Sequence, residues 1–333
     1  MLKLIWRLSN VVLVLALCVV LLGAWTRINH AGLSCPDWPG CYGYMLMPTD
    51  QAALTEAQFI YPDTPIELGK TALEMGHRYL AGTLGLVIAA LAFCAYRLRR
   101  VQTYPVYLSY GLLLLVTVQA VFGMWTVTLK LYPPVVTLHL LGGVLTLTGV
   151  YVLRSKVKTL MAGVKKQRTK CSKWIKYALA VLLLQIVLGG WTSSNYAGPA
   201  CGHWLSCSMG ENASSDFTRG FNLTETIGPN YQGGLLPLDA RVAIQQGHRI
   251  GALVVLIVCV WLVVKLHRQV YMRSWLYGLL ALLSIQILLG GLNAIYAVPN
   301  LLAIGHHAVA VGLLLVLLKI YELRLRTVEV NHG

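Results

Sequence analysis

Apolar residues run through this chain in long blocks, and the blocks have the length of membrane-crossing helices. They lie near 9–28, 73–96, 105–129, 134–153, 174–193, 242–264, 275–296 and 301–320. Stretches of roughly 17–25 apolar residues can cross a hydrocarbon core of about 30 Å. The polar positions between blocks alternate in kind. Two segments, roughly 29–72 and 194–241, are long, while the external links 130–133 and 297–300 are short and carry Pro133 and Pro299, which suits sharp turns. The pattern predicts an all-α integral membrane protein with eight transmembrane helices. The first block, behind residues 1–8, resembles a signal peptide in outline. It lacks a convincing small-residue cleavage site, so it is read as a span.

The blocks repeat. The first ends in Gly23-Ala-Trp25-Thr26-Arg-Ile-Asn29-His-Ala31-Gly32, and the fifth in Gly189-Gly-Trp191-Thr192-Ser-Ser-Asn195-Tyr-Ala197-Gly198, an offset of 166 residues. Further on, Tyr110, Gly111, Gln119, Gly123 and His139 match Tyr277, Gly278, Gln286, Gly290 and His306 at an offset of 167. An even number of spans per repeat keeps both halves in one orientation. The expected architecture is therefore two four-helix bundles related by a pseudo-twofold along the membrane normal. The halves are 1–153 and 174–333, joined by a Lys/Arg-rich cytoplasmic linker at 154–173.

Composition sharpens this picture. Of 333 residues, 57% are hydrophobic and 12% charged, too few polar groups to cover a soluble protein. The net charge of +15 does not point to nucleic acid. Twenty of the 27 basic residues fall at the N-terminus, around 97–100, in 154–176, in 265–273 and after 319, which are alternate loops on one side. Ten of the twelve acids lie in the two long loops and the helix starts after them. By the positive-inside rule both termini are cytoplasmic and the long loops face outward.

Histidine is costly in a span and is a functional candidate there by default. His77, His139, His248 and His306 each lie about five residues past the outer start of an even-numbered span, roughly 7–8 Å deep at helical rise. Equal depth on neighbouring helices is what two imidazoles need to grip one haem iron from opposite faces. Gly82, Gly85, Gly142, Gly143, Gly251 and Gly312 lie within about two turns, where a flat macrocycle needs clearance or helices simply pack closely. No second ligand sits at i+3 or i+4, which argues against a bare metal ion. His307 adjoins His306; the equal spacing from Gln119 to His139 and from Gln286 to His306 favours His306. Arg78 and Arg249 follow two of these histidines. They suit haem propionates by guanidinium–carboxylate geometry, or they snorkel to the interface.

The halves differ at one telling place. Glu74 shares a helix face with His77, Arg78 and Ala81, and the second half has Gln245 there. A carboxylate beside a haem can move protons, so the first half reads as reactive and the second as an electron relay. The alternative is a solvated carboxylate favouring a helix N-terminus. Outside the spans, Cys35 with Cys41 and Cys201 with Cys207 read as short disulfides on the oxidising side. Cys201-Gly-His203 leaves zinc open in one half only. A redox role for the first pair is a further hypothesis. Cys18, Cys94 and Cys259 read as packing residues, and Cys171 as cytoplasmic.

Taken together, Glu74-x-x-His77-Arg78, His139, His248-Arg249, His306, the duplicated halves and the outer cysteine pairs resemble the haem A synthase family over nearly the whole chain. The cysteine pairs resemble its bacterial branch. The resemblance implies haem O as substrate on His77 and His139, and a haem b on His248 and His306. The ring methyl at position 8 would undergo two hydroxylations, and the geminal diol would lose water to leave a formyl group. Glu74 matches the family's essential carboxylate, and the Cys35–Cys41 loop one implicated in activity. Implied partners are a haem O synthase upstream and a haem-copper cytochrome oxidase downstream, in the bacterial cytoplasmic membrane and its lipid. The electron donor and the oligomeric state, including a homo-oligomer, stay open. An iron held by two histidines offers oxygen no position, so either a ligand leaves or oxidation proceeds without haem-bound oxygen. A competing reading is a quinol-linked dihaem electron-transfer protein with no chemistry on haem; a haem-handling protein is a third.

Overall fold

The computed structural model describes residues 1–100, 104–163, 165–168, 172–204, 207, 215–225, 230–323 and 325–328. Its helices in chain order are α1 (Leu2–Ile28), α2 (Gln51–Ile60), α3 (Leu68–Arg97), α4 (Val106–Thr128), α5 (Pro133–Met161), α6 (Ser172–Ser194), α7 (Phe217–Gly220), α8 (Leu238–Leu266), α9 (Arg273–Ile295) and α10 (Asn300–Leu323). Among the described residues, the eight other than α2 and α7 are long and apolar enough to cross a membrane. Cys171 and His332 lie outside the described residues.

Several helices outrun their apolar blocks. The first span begins at Leu2 rather than 9, α3 at Leu68 rather than 73, and α8 at Leu238 rather than 242. α5 continues to Met161, eight residues into the segment read as linker. Hydropathy reports where lipid ends, whereas a helix continues through polar residues until a breaker or cap stops it. A short antiparallel pair, β1 (Lys165–Arg168) with β2 (Leu325–Val328), ties the linker to the C-terminal segment. In the first outer loop, Asp50 caps α2 by accepting the Ala53 N–H at 2.9 Å.

The repeated Trp-Thr-x-x-Asn-x-Ala motif turns out to be a helix terminator. Asn29 and Asn195 donate side-chain N–H groups to the carbonyls of Trp25 and Trp191 at 2.8 and 3.0 Å. His30 and Tyr196 then take left-handed φ values of 54° and 53°. The Ala31 and Ala197 N–H groups close back to the carbonyls of Thr26 and Thr192 at 3.0 and 2.9 Å, the six-to-one bond of a Schellman cap. The tight turns repeat in the same way. Lys130 and Leu131 have φ of 48° and 65°, and Ala297 and Val298, 167 residues on, have 54° and 63°.

Packing repeats too. In the first half α1 packs on α3 and α5, and α4 on α3 and α5; in the second α6 packs on α8 and α10, and α9 on α8 and α10. The halves meet through α5 with α6, α1 with α10, and α5 with α10. Two buried clusters result, and they exchange one residue each. Val144 of α5 sits in the second-half cluster, and Val311 of α10 in the first-half cluster.

Candidate functional site

The outer turns of α3 carry the densest polar contacts. Glu74 is only 4% exposed. Since α3 begins six residues earlier, at Leu68, Glu74 is not the solvated helix end that one reading allowed. Its Oε1 pairs with the Arg78 guanidinium at 2.5 Å, and its Oε2 accepts the Cys35 N–H at 2.9 Å. Arg78 also donates to the carbonyls of Asp37 at 2.9 Å and Pro39 at 3.3 Å, and to that of Gly40. Asp37 in turn accepts the N–H groups of Tyr42 at 2.6 Å and Gly43 at 2.8 Å. The Cys35–Cys41 disulfide, Cα–Cα 4.8 Å, closes this loop. A buried ion pair is costly unless hydrogen bonds offset its desolvation, and here the Cys35 N–H and the loop carbonyls supply them. Tyr42 is fully buried in the loop. Burial, then the charges of Glu74, Asp37 and Glu67, push its hydroxyl up to about 12, so it stays a neutral donor.

The second half builds a similar lid with different chemistry. Arg249 donates to the carbonyls of His203 at 2.7 Å and Cys201 at 3.4 Å. Cys201 and Cys207 are bonded to each other, Cα–Cα 4.6 Å, which leaves no thiolate for zinc. Gln245 is buried at 7% exposure, and its Oε1 has no hydrogen-bond partner among the described residues. Both arginines are thus engaged with loop carbonyls in this structure.

Below the lids lie the four histidines, and each rests against a glycine of a neighbouring helix. A Cβ on Gly23 of α1 would come within 2.8 Å of His77 Nε2, and one on Gly123 of α4 within 3.5 Å of the His139 ring. A Cβ on Gly189 of α6 would meet the His248 ring at 3.3 Å, and one on Gly290 of α9 the His306 ring at 3.1 Å. These glycines let an imidazole lie against a helix backbone: a Cβ would displace the ring at Gly23, crowd it at Gly189 and Gly290, and only touch it at Gly123. His139 is within electrostatic reach of His77, and His248 of His306. Buried Nδ1 atoms of His139 and His306 lack protein partners. Paired imidazoles on neighbouring helices, each lying against a glycine rather than a side chain, fit a flat macrocycle gripped from two sides.

Glutamines complete the picture. Gln185 Nε2 lies 3.1 Å from His248 Nδ1 and 2.9 Å from the His248 carbonyl. Gln286 Nε2 lies 3.2 Å from His306 Nε2. His307 instead turns to the Val20 carbonyl on α1. The glycines that contact the histidines are not those singled out from sequence: Gly142 and Gly251 meet Gln119 and Gln185, while Gly85, Gly143 and Gly312 meet Val116, Val20 and Leu282, and Gly82 meets nothing. The signal was present, since Gly23 and Gly123 both belong to the repeat. Of the remaining histidines, His30 stacks on Tyr196 at 5.7 Å. Burial, then the charges of Arg27 and Lys70, lower its pKa.

Comparison with known proteins follows the same outline. A model of the COX15-CtaA family, described as cytochrome oxidase assembly protein, matches residues 6–318. A heme A synthase of Shewanella oneidensis is 37% identical over 327 residues, covering 96% of each chain. One of Flavobacterium johnsoniae is 27% identical over 334 residues, covering 93% of this chain and 94% of its own. One of Mesorhizobium japonicum is 25% identical over 323 residues, 90% and 85% respectively.

Proposed function

The chain belongs to the COX15-CtaA family of cytochrome oxidase assembly proteins, and on that premise we propose that it is a haem A synthase, a membrane oxidoreductase acting on haem O. The carrying observation is the buried Glu74–Arg78 pair beneath the Cys35–Cys41 loop, one turn from His77 and without a carboxylate counterpart at Gln245. His77 and His139 hold haem O as substrate, and His248 and His306 hold haem b. The preference for His306 over His307 is supported by its contacts with Gln286 and Gly290, the repeat mates of Gln119 and Gly123. The division into 1–153, 154–173 and 174–333, with a pseudo-twofold along the membrane normal, is supported by the repeated caps, turns and helix pairings.

Haem b supplies one-electron transfer. The chain's own residues do the rest. His77 and His139 would hold the substrate, and Gly23 and Gly123 let their imidazoles lie against helix backbone. Glu74 can hold or exchange a proton at Oε1 or Oε2, whereas Gln245 cannot. Arg78 and the Cys35 N–H keep that carboxylate in place, and the disulfide loop closes the site toward the outer aqueous side. Arg78 and Arg249 reach propionates only by sharing or giving up loop carbonyls. The substrate's methyl at position 8 would be hydroxylated twice, each step removing two electrons from that carbon to an external oxidant such as dioxygen and adding one oxygen from dioxygen or water. Loss of water from the geminal diol would leave the formyl group. The product serves a haem-copper oxidase, and a haem O synthase supplies the substrate, in a bacterial cytoplasmic membrane with both termini inside.

The test is co-expression with a haem O synthase in bacteria lacking haem A, followed by extraction and mass-resolved chromatography of the haems. Haem A or its hydroxylated precursor is expected, and Glu74→Gln should lower product about 100-fold or more with bound haem retained. Untouched haem O with only haem b, in well-expressed protein with reductant supplied, would overturn the proposal in favour of a dihaem relay.

A further inference from the structure

The two haem candidates differ in how their histidines are held, and the difference lies on the first helix of each half. Gln185 on α6 sits between α6 and α8 with its amide nitrogen 3.1 Å from His248 Nδ1 and 2.9 Å from the His248 carbonyl. Gly251, one turn along α8, makes this possible: a Cβ there would lie 2.1 Å from Gln185 Oε1. That oxygen is buried and has no partner. The position 166 residues earlier, on α1, is Val19, which can neither donate nor accept. His77 therefore has no amide at the place where His248 has one.

An imidazole that binds iron through Nε2 carries its proton on Nδ1, and the group at Nδ1 fixes the tautomer and the ring plane. A carboxamide serves either tautomer, because turning it over exchanges its donor and its acceptor. With the amide nitrogen at Nδ1, the proton belongs on Nε2 and no lone pair faces iron. With the oxygen turned to Nδ1, the ring donates to the amide and Nε2 is free to ligate, while the amide swings off the His248 carbonyl and gives up that 2.9 Å bond. We propose that Gln185 is a positioning residue for His248, fixing its ring and accepting its Nδ1 proton when the second half is loaded. The inference rests on the reading that His248 ligates a haem. It also gives the relay haem a stronger imidazole donor on the His248 side than the substrate haem has on the His77 side. A stronger donor stabilises the ferric state and lowers the reduction potential.

The experiment uses the full chain purified in detergent after expression without a haem O source. The readouts are low-temperature EPR and potentiometric titration of bound haem b. His248→Ala first identifies the low-spin signal that belongs to this site. Gln185→Met, of similar length but with no acceptor for a ring N–H, should shift that signal's g-values and move its midpoint potential upward. Gln185→Glu, which accepts more strongly, should move the potential downward. A merely structural role would move both variants the same way, and that result, or an unchanged signal in both, overturns the inference. If either variant fails to accumulate, Gln185→Leu replaces the methionine variant or Gln185→Asp the glutamate variant in the same opposed-direction comparison. If His248→Ala leaves every low-spin signal intact, the haem assignment itself has failed, and that outcome is separate from a failure at Gln185.

Discussion

The two halves share helix-ending caps, tight turns and helix pairings, yet they differ where polar groups meet a histidine. The first half spends its buried polarity above His77, in Glu74, Arg78 and a disulfide loop bound through a backbone N–H. The second spends it beside His248, in Gln185, and leaves Gln245 uncharged beneath its own disulfide loop. A duplicated scaffold keeps its geometry cheaply, because each half's packing is satisfied by the same residue pattern. The halves then diverge through single substitutions at positions near the histidines, Glu74 for Gln245 and Val19 for Gln185. On the proposed reading, the carboxylate belongs to the half that would handle protons, and the amide to the half that would only hold a ring.

The strongest way to break that comparison is to fill the clearance beside one histidine at a time. A Gly23→Leu substitution brings its Cβ to 2.8 Å from His77 Nε2, and Gly189→Leu brings one to 3.3 Å from the His248 ring, with the rest of each side chain still to be placed. Overpacking of this kind costs roughly 1–3 kcal/mol and cannot be absorbed by helix backbone. We expect Gly23→Leu to lose the substrate haem and keep haem b, and Gly189→Leu to do the reverse. Haem extraction and chromatography read both. Full retention of both haems in both variants would dismiss these glycines as part of the sites.

A smaller effect separates the lids. Cys35 holds Glu74 through its own N–H, so replacing Cys35 and Cys41 with Ser should misplace the carboxylate as well as loosen the loop. Product should fall while both haems stay bound. Replacing Cys201 and Cys207 removes a disulfide with no carboxylate beneath it. The second substitution should lower thermal stability, with native short-loop disulfides contributing about 2–4 kcal/mol, and leave turnover per folded molecule unchanged. Equal loss of turnover in both double variants would argue that the first loop has no special link to Glu74.

Much of this organisation was legible in the sequence because it rests on periodicity. Eight apolar blocks and a long repeat follow from where residues sit along the chain, and so do the matching histidines and the Glu74/Gln245 exchange. Contacts between helices are not written in that order. Gly23 was visible as a repeat marker, but its place against His77 depends on how α1 crosses α3. Gln185 escaped notice because its repeat mate is Val19, and a comparison that looks for identities passes over a position that differs. The tie from Glu74 to Cys35 runs through a backbone N–H 39 residues away, and no side-chain pattern encodes it. Helix ends were misplaced for a related reason, since α5 continues through charged residues to Met161.

The mildest substitutions test the longest repeated motif. Trp-Thr-x-x-Asn-x-Ala-Gly is the part of the duplication easiest to mistake for a site, yet its atoms are spent on ending α1 and α6. Asn29 and Asn195 each tie down a tryptophan carbonyl, at 2.8 and 3.0 Å, just before a left-handed residue. Asn29 also accepts a hydrogen bond from Asn300 at 3.0 Å, across the interface between halves. Each hydrogen bond of this kind contributes about 0.5–1.5 kcal/mol net. Asn195→Ala should therefore lower the unfolding midpoint slightly and Asn29→Ala a little more, with haem content and product per folded molecule unchanged in both. A selective loss of turnover in Asn29→Ala would move this cap from scaffold to site. Matched, purely thermal effects would place the division between the halves where Glu74 and Gln185 put it.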